Sequence, residues 1–188
     1  MARVNYNVVT HGVSGKIGDL LQFRQRNGKT IIAKIAARSG KVAPAQQLVR
    51  DKFRLATAYA KSAIKNPAIR EIYELRAAGG ISPYNLALRD FFSPPVISGV
   101  DLAAYIGDIG NPILVTATDD TRLVEVTVKI FDSTETLVET GAAIRQGEQD
   151  VWIYTATSSN SLPSGSRVVV EARDLPGNST VLDTLLQG

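Results

Sequence analysis

At Ser93-Pro94-Pro95 the sequence changes its period. Just upstream, over 44–92, apolar residues recur every three or four positions; downstream they alternate. Paired prolines remove two amide donors and stiffen the chain, so a linker is expected there. The chain is therefore read as two modules, 1–95 and 96–188. The full 188 residues suffice for one large domain or two small ones.

Charge changes at the same place. Residues 1–95 hold 16 Lys/Arg and 5 Asp/Glu, a net of +11, whereas residues 96–188 hold 5 and 13, a net of −8. The overall +3 conceals this split, which points to modules with different surfaces.

The basic module opens with strand-like sequence over residues 3–36. Gly12, Gly15 and Gly18 mark turns. Two strand-like runs then flank Asn27-Gly28, a strong signal for a type I′ hairpin. One side of this hairpin is expected to be basic, with Arg24, Arg26 and Lys34. A loop over 37–44 leads to a helix from about Pro44 to Lys65. Its apolar stripe is Val49, Phe53, Ala56, Ala60 and Ile64, widened by Leu48, Leu55 and Tyr59. Arg50, Arg54, Lys61 and Lys65 fall on the opposite face. Asn66-Pro67 and Ser82-Pro83 each place a capping residue before a proline, which starts two further helices. The second is expected to stop at Gly79-Gly80.

In the acidic module Val124, Val126, Val128 and Ile130 alternate with polar residues. Further strands are expected near 96–100, 112–118, 136–144, 151–156, 166–173 and 179–185. About seven short strands at this spacing predict an immunoglobulin-like sandwich with Trp152 as its core aromatic. The chain has no cysteine, so no disulfide joins the sheets, as in fibronectin type III domains. The fold class expected is α+β: a β-hairpin plus three-helix module followed by an all-β immunoglobulin-like sandwich.

Composition narrows the chemistry. Without cysteine there is no thiol catalysis and no Cys-type metal site. With His11 alone there is no multi-His site, and a Ser-His-Asp triad would have to use that residue. His11 itself reads as a surface or packed histidine. Gly15-Lys16 is followed by Ile17 and by strand, not by the Ser/Thr and helix of a phosphate-binding loop. Gly12-Val13-Ser14-Gly15 is not a nucleophile elbow. Asp101, Asp108, Asp119 and Asp120 lack EF-hand spacing and read as solvated turns. No enzyme activity, cofactor or metal is expected. No apolar run reaches membrane-spanning length and the start lacks a signal-peptide core, so synthesis in the cytoplasm is expected, with later incorporation into a virion or extracellular particle left open.

Several segments act together as a pattern: Ser14-Gly15-Lys16-Ile17-Gly18-Asp19, the hairpin Phe23 to Lys29, the helix start Gln46 to Phe53, and Ser82-Pro83-Tyr84-Asn85. Over roughly residues 12–92 they resemble an uncharacterised family of proteins from Bacteroidota and their phages. Its members open with such a turn, a short hairpin and a Gln/Arg-rich helix, and often continue into an immunoglobulin-like domain. The resemblance implies no catalytic residues and fits a component of a virion or other particle.

Three functions are weighed. The favoured one is a structural subunit of a repeating assembly: a phage capsid, neck or tail component, or a filament or tube. Here Arg24, Arg26, Lys34, Arg50, Arg54 and Lys61 dock against Asp119, Asp120, Glu125, Glu135 and Glu139 of a neighbour. Segment 1–10 and the hairpin add a strand to that neighbour's sheet edge. The partners are then other copies of the chain or other subunits of a large assembly. The second function is nucleic-acid association through the basic half, extended by Arg38, Lys41, Lys52 and Lys65. The third is a carbohydrate- or surface-binding immunoglobulin-like module with Trp152 or Tyr154 exposed.

Overall fold

The computed structural model describes residues 2–4, 12–35, 43–147 and 150–186. His11, Arg38 and Lys41, and most of segment 1–10, lie outside the described residues. The fold is α+β. The chain forms two compact units, Met1–Leu48 and Val49–Gly188, so the division falls inside the first helix.

In the first unit, β1 (Ala2–Val4), β2 (Gly15–Ile17), β3 (Leu21–Arg26) and β4 (Lys29–Lys34) make an antiparallel sheet of order β1-β4-β3-β2. Strands β2 to β4 form a meander, and β1 pairs with the outer edge of β4. The β3–β4 turn is built on Asn27 and Gly28, with φ of 50° and 70°. Positive φ at both central residues is what a type I′ turn demands.

Helix α1 (Pro44–Lys65) is followed by α2 (Pro67–Arg76) and α3 (Pro83–Asp90). Asn66 caps α2 by accepting from the amides of Ala68 and Ile69, and Ser82 caps α3 by accepting from Asn85. In both, proline occupies the first helical position, where no amide donor is needed. Helix α2 ends three residues before Gly79, and both Gly79 and Gly80 take positive φ. The apolar stripe of α1 is buried only from Ala56 onward: Ala56, Ala60 and Ala63 are buried, whereas Leu48, Val49 and Leu55 are exposed and Phe53, also exposed, stacks on Phe92.

The remaining strands are β5 (Val96–Asp101), β6 (Pro112–Thr118), β7 (Leu123–Phe131), β8 (Leu137–Ala142), β9 (Ile144–Arg145), β10 (Val151–Thr155), β11 (Arg167–Asp174) and β12 (Ser179–Leu185). They make two antiparallel four-stranded sheets, β5-β6-β10-β9 and β12-β11-β7-β8. Ile113 and Val115 of β6, with Trp152 and Tyr154 of β10, meet Val126, Val128 and Ile130 of β7 and Val168 and Val170 of β11 in one core. Alternation places every second residue of these strands inside. Val124 departs from it and is 57% exposed. Between Arg173 and Asp174 the β7–β11 register shifts, so Glu125 and Leu123 find partners and Val124 does not.

Helices α2 and α3 belong to the same unit as the two sheets. Pro95 is buried, and the Thr180 hydroxyl donates to its carbonyl at 2.6 Å. Among the described residues no helix is long and apolar enough to cross a membrane.

Candidate docking surfaces and a buried polar junction

Residues directly opposite in an antiparallel pair share a face. Arg24 faces Ile31, Arg26 faces Lys29 and Lys16 faces Gln22. Lys16, Arg24, Arg26 and Lys29 therefore stand on one face of the first sheet, all exposed and with no acidic residue among them. Lys34 does not join them. It pairs with Leu21, which puts it on the opposite face with Phe23 and Ile32. Lys29 takes the place expected for it, because strand alternation carries odd and even positions of β4 to different sides.

Arg50, Arg54 and Lys61 lie along one exposed side of α1, as their spacing requires. Arg54 makes an exposed ion pair with Asp51 at 3.4 Å.

The acidic candidates do not form one surface. Asp119 is half-buried in the β6–β7 turn, where one carboxylate oxygen accepts from the amides of Thr121 and Arg122 at 2.8 and 2.7 Å. Asp120 sits 3.9 Å from Arg89, and its carbonyl accepts from Arg76. Glu135, in the β7–β8 turn at φ 63°, binds Arg167, which also meets Asp183 at 3.2 Å and stacks over Phe131. Arg167 holds the Glu135 carboxyl below its ordinary range. Glu125 is exposed on β7 opposite Arg173. Glu139 is not a surface residue at all. It is buried, and one oxygen accepts from the Tyr154 hydroxyl, the Thr157 amide and hydroxyl and the Ser158 amide. A buried carboxylate needs several donors, and this one ties β8 to the segment after β10.

Trp152 and Tyr154 are both buried, which withdraws them as a platform for sugar stacking. Burial followed by the Glu139 hydrogen bond pushes the Tyr154 phenol up to about 12.

Sequence reasoning missed a polar junction inside the second unit. The Tyr73 hydroxyl donates to Asp90 at 2.6 Å and lies 2.7 Å from the Tyr59 hydroxyl. The Asn178 side-chain amide donates to the Asp90 carbonyl at 3.3 Å and to the Asp174 carboxylate at 2.7 Å. Asp90, Asp174 and Tyr73 are almost wholly buried. Among the described residues none of Asp90, Asp119 and Asp174 takes part in an ion pair. Burial pushes the Asp90 carboxyl up to about 6, against the opposing pull of Tyr73 and Thr121; Asp119 and Asp174 add like charge. Asp174 is also raised, chiefly by burial. Burial likewise pushes Tyr59 up to about 12, and Tyr73 is raised still further. Among the described residues no group of three acidic or histidine side chains is arranged to hold a metal ion. The sequence signal was an Asp at the end of an otherwise apolar helix face, with tyrosines on the two preceding helices.

Comparison of the chain with protein-family models, with curated proteins and with solved structures finds no match.

Proposed function

We propose that this protein is a non-enzymatic structural subunit of a repeating assembly, in which the N-terminal sheet docks on a neighbouring copy. One observation carries the reading: the first unit is poorly buried. Among its described residues only Phe23 and Thr30 are buried, whereas Ile17 is 59% and Leu20 71% exposed. A small sheet with so little covered apolar surface is marginal alone and gains stability when another surface covers it. The first unit also carries eight Lys/Arg against Asp19 alone, a net of +7, while residues 49–188 carry 13 Lys/Arg and 17 Asp/Glu, a net of −4. Opposite charge of this kind sets orientation and register between copies.

The finer reading of the second unit is an immunoglobulin-like sandwich. Its strand order, β5-β6-β10-β9 against β12-β11-β7-β8, supports this by matching the A-B-E-D and G-F-C-C′ sheets of such domains. A phage capsid, neck or tail component is the form of assembly that fits best, with a filament or tube next. Its docking surface is the sheet face with Arg24 and Arg26, not the buried Glu139.

Light scattering coupled to negative-stain imaging, at low and high salt, tests the proposal. Ordered rings, tubes or fibres that dissolve in salt are expected. A monomer at high concentration under both conditions overturns it.

The exposed basic face favours one second reading, association with nucleic acid. Lys16, Arg24, Arg26 and Lys29 share one face of the sheet and could neutralise phosphates. Affinity would then fall steeply with salt and vanish in Arg24→Glu/Arg26→Glu.

A further inference from the structure

At one end of the two-sheet core a pocket of about 230 Å³ opens between the end of α2, the β6–β7 turn and the β9–β10 turn. Arg76, Arg122 and Arg145 come to it from three different elements. Trp152 and Thr121 also line it, and both are buried. The indole N–H of Trp152 makes no hydrogen bond. An unpaired buried donor costs roughly 1–3 kcal/mol, so one in the lining of a pocket calls for an acceptor.

Two carboxylates share the pocket. Asp150 lies 3.6 Å from Arg145. Asp119 spends one oxygen on the β6–β7 turn, while its other oxygen is buried and unpartnered. The lining is thus three guanidiniums, two carboxylates, one indole donor without an acceptor and one carboxylate oxygen without a donor.

We infer that this pocket binds a small oxyanion that retains a proton, of which hydrogen phosphate is the type. Guanidiniums form charge-assisted, two-pronged hydrogen bonds to such oxygens. The anion's oxygens supply an acceptor for Trp152, and its own hydroxyl supplies the donor for Asp119. A fully ionised anion fits worse. It offers Asp119 nothing and adds charge near Asp90, Asp119 and Asp174, which already oppose one another. The volume is below the range typical of drug-sized ligand pockets and suits a single anionic group. This site stands apart from the basic face with Arg24 and Arg26, and of the acidic residues expected to meet that face it uses Asp119 alone.

Trp152 is the only tryptophan in the chain, so its fluorescence reports on this pocket alone. The full chain is titrated with sodium phosphate near pH 6.5, and with sulfate and chloride at matched ionic strength. Inorganic phosphate is triprotic and still carries at least one proton there, whereas sulfate carries none. A saturable change with phosphate is expected, at least about tenfold weaker for sulfate and absent for chloride. Arg76→Gln and Arg122→Gln should each weaken half-saturation about tenfold, the worth of one charge-assisted hydrogen bond. Both side chains are exposed, so circular dichroism should show an unaltered fold. Asp119→Asn, which still presents an oxygen to the turn amides, should narrow the gap between phosphate and sulfate. No saturable change, or one untouched by both arginine variants, overturns the site. Sulfate binding as well as phosphate overturns the role of Asp119.

Discussion

Tyr73 on α2 donates its hydroxyl proton to Asp90 on α3 at 2.6 Å, with Asp90 only 1% exposed. That bond joins two helices through a group that is costly to ionise where it sits.

Stability should therefore depend on pH in an uncommon direction. The Asp90 carboxyl is raised to about 6 in the folded protein, from 3.8 in the unfolded chain. Between these values the native state holds more protons than the unfolded one, so stability falls as pH rises. The contribution is complete below about pH 4 and lost above about pH 6, and is of order 2 kcal/mol. Asp174 acts with the same sign. Asp132 and Glu135, whose carboxyls are lowered, oppose it only in more acid solution. Thermal melts from about pH 4.5 to 7 should show Tm declining. Asp90→Asn, which keeps an acceptor for Tyr73, should flatten that slope.

Removing the Glu139 carboxylate should weaken the second unit strongly. Four donors converge on one of its oxygens. Glu139→Ala strands them and should cost roughly 2–4 kcal/mol in urea unfolding. Glu139→Gln, which retains an acceptor, should cost less. An Ala variant as stable as wild type would show that water replaces the carboxylate freely.

Gly141 and Gly99 offer a matched pair. A Cβ at Gly141 would lie 2.7 Å from the Tyr154 ring, whereas one at Gly99 meets nothing within 4 Å. Gly141→Ala should destabilise by about 1–3 kcal/mol through overpacking. Gly99→Ala, away from any contact, should stay within about 0.5 kcal/mol. Denaturant melts of the two variants separate steric cost from backbone effects.

The two faces of the first sheet make separable predictions for assembly. Arg24→Glu with Arg26→Glu should abolish salt-sensitive association in light scattering, because both lie on the basic face. Lys34→Glu should have a smaller effect, since its register with Leu21 places it on the other side. Equal effects would mean that net charge, not one face, drives association.

What the sequence revealed was local. Asn27-Gly28 specified its turn because few other pairs tolerate positive φ twice. Asn66-Pro67 and Ser82-Pro83 marked helix starts because capping and the missing proline donor act within one turn. Alternation from Val126 to Ile130 found a core strand. Properties set by distant partners were not legible. Lys34 needed the β3–β4 register, Val124 needed the bulge opposite it, and Glu139 needed Thr157 and Ser158 folded over it. The Asp90 junction draws on α1, α2, α3 and the turn after β11, which no window of sequence spans.

That last turn has a consequence for the order in which the chain is made. Asn178 reaches back 88 positions to the Asp90 carbonyl, and Thr180 reaches 85 to Pro95. The helices leave the ribosome well before the strands that fasten them exist. They must wait, incompletely secured, while β5 to β11 are synthesised, and a chaperone or a neighbouring copy has that interval in which to engage them. Replacing Asn178 by alanine should loosen helices that were synthesised long before it.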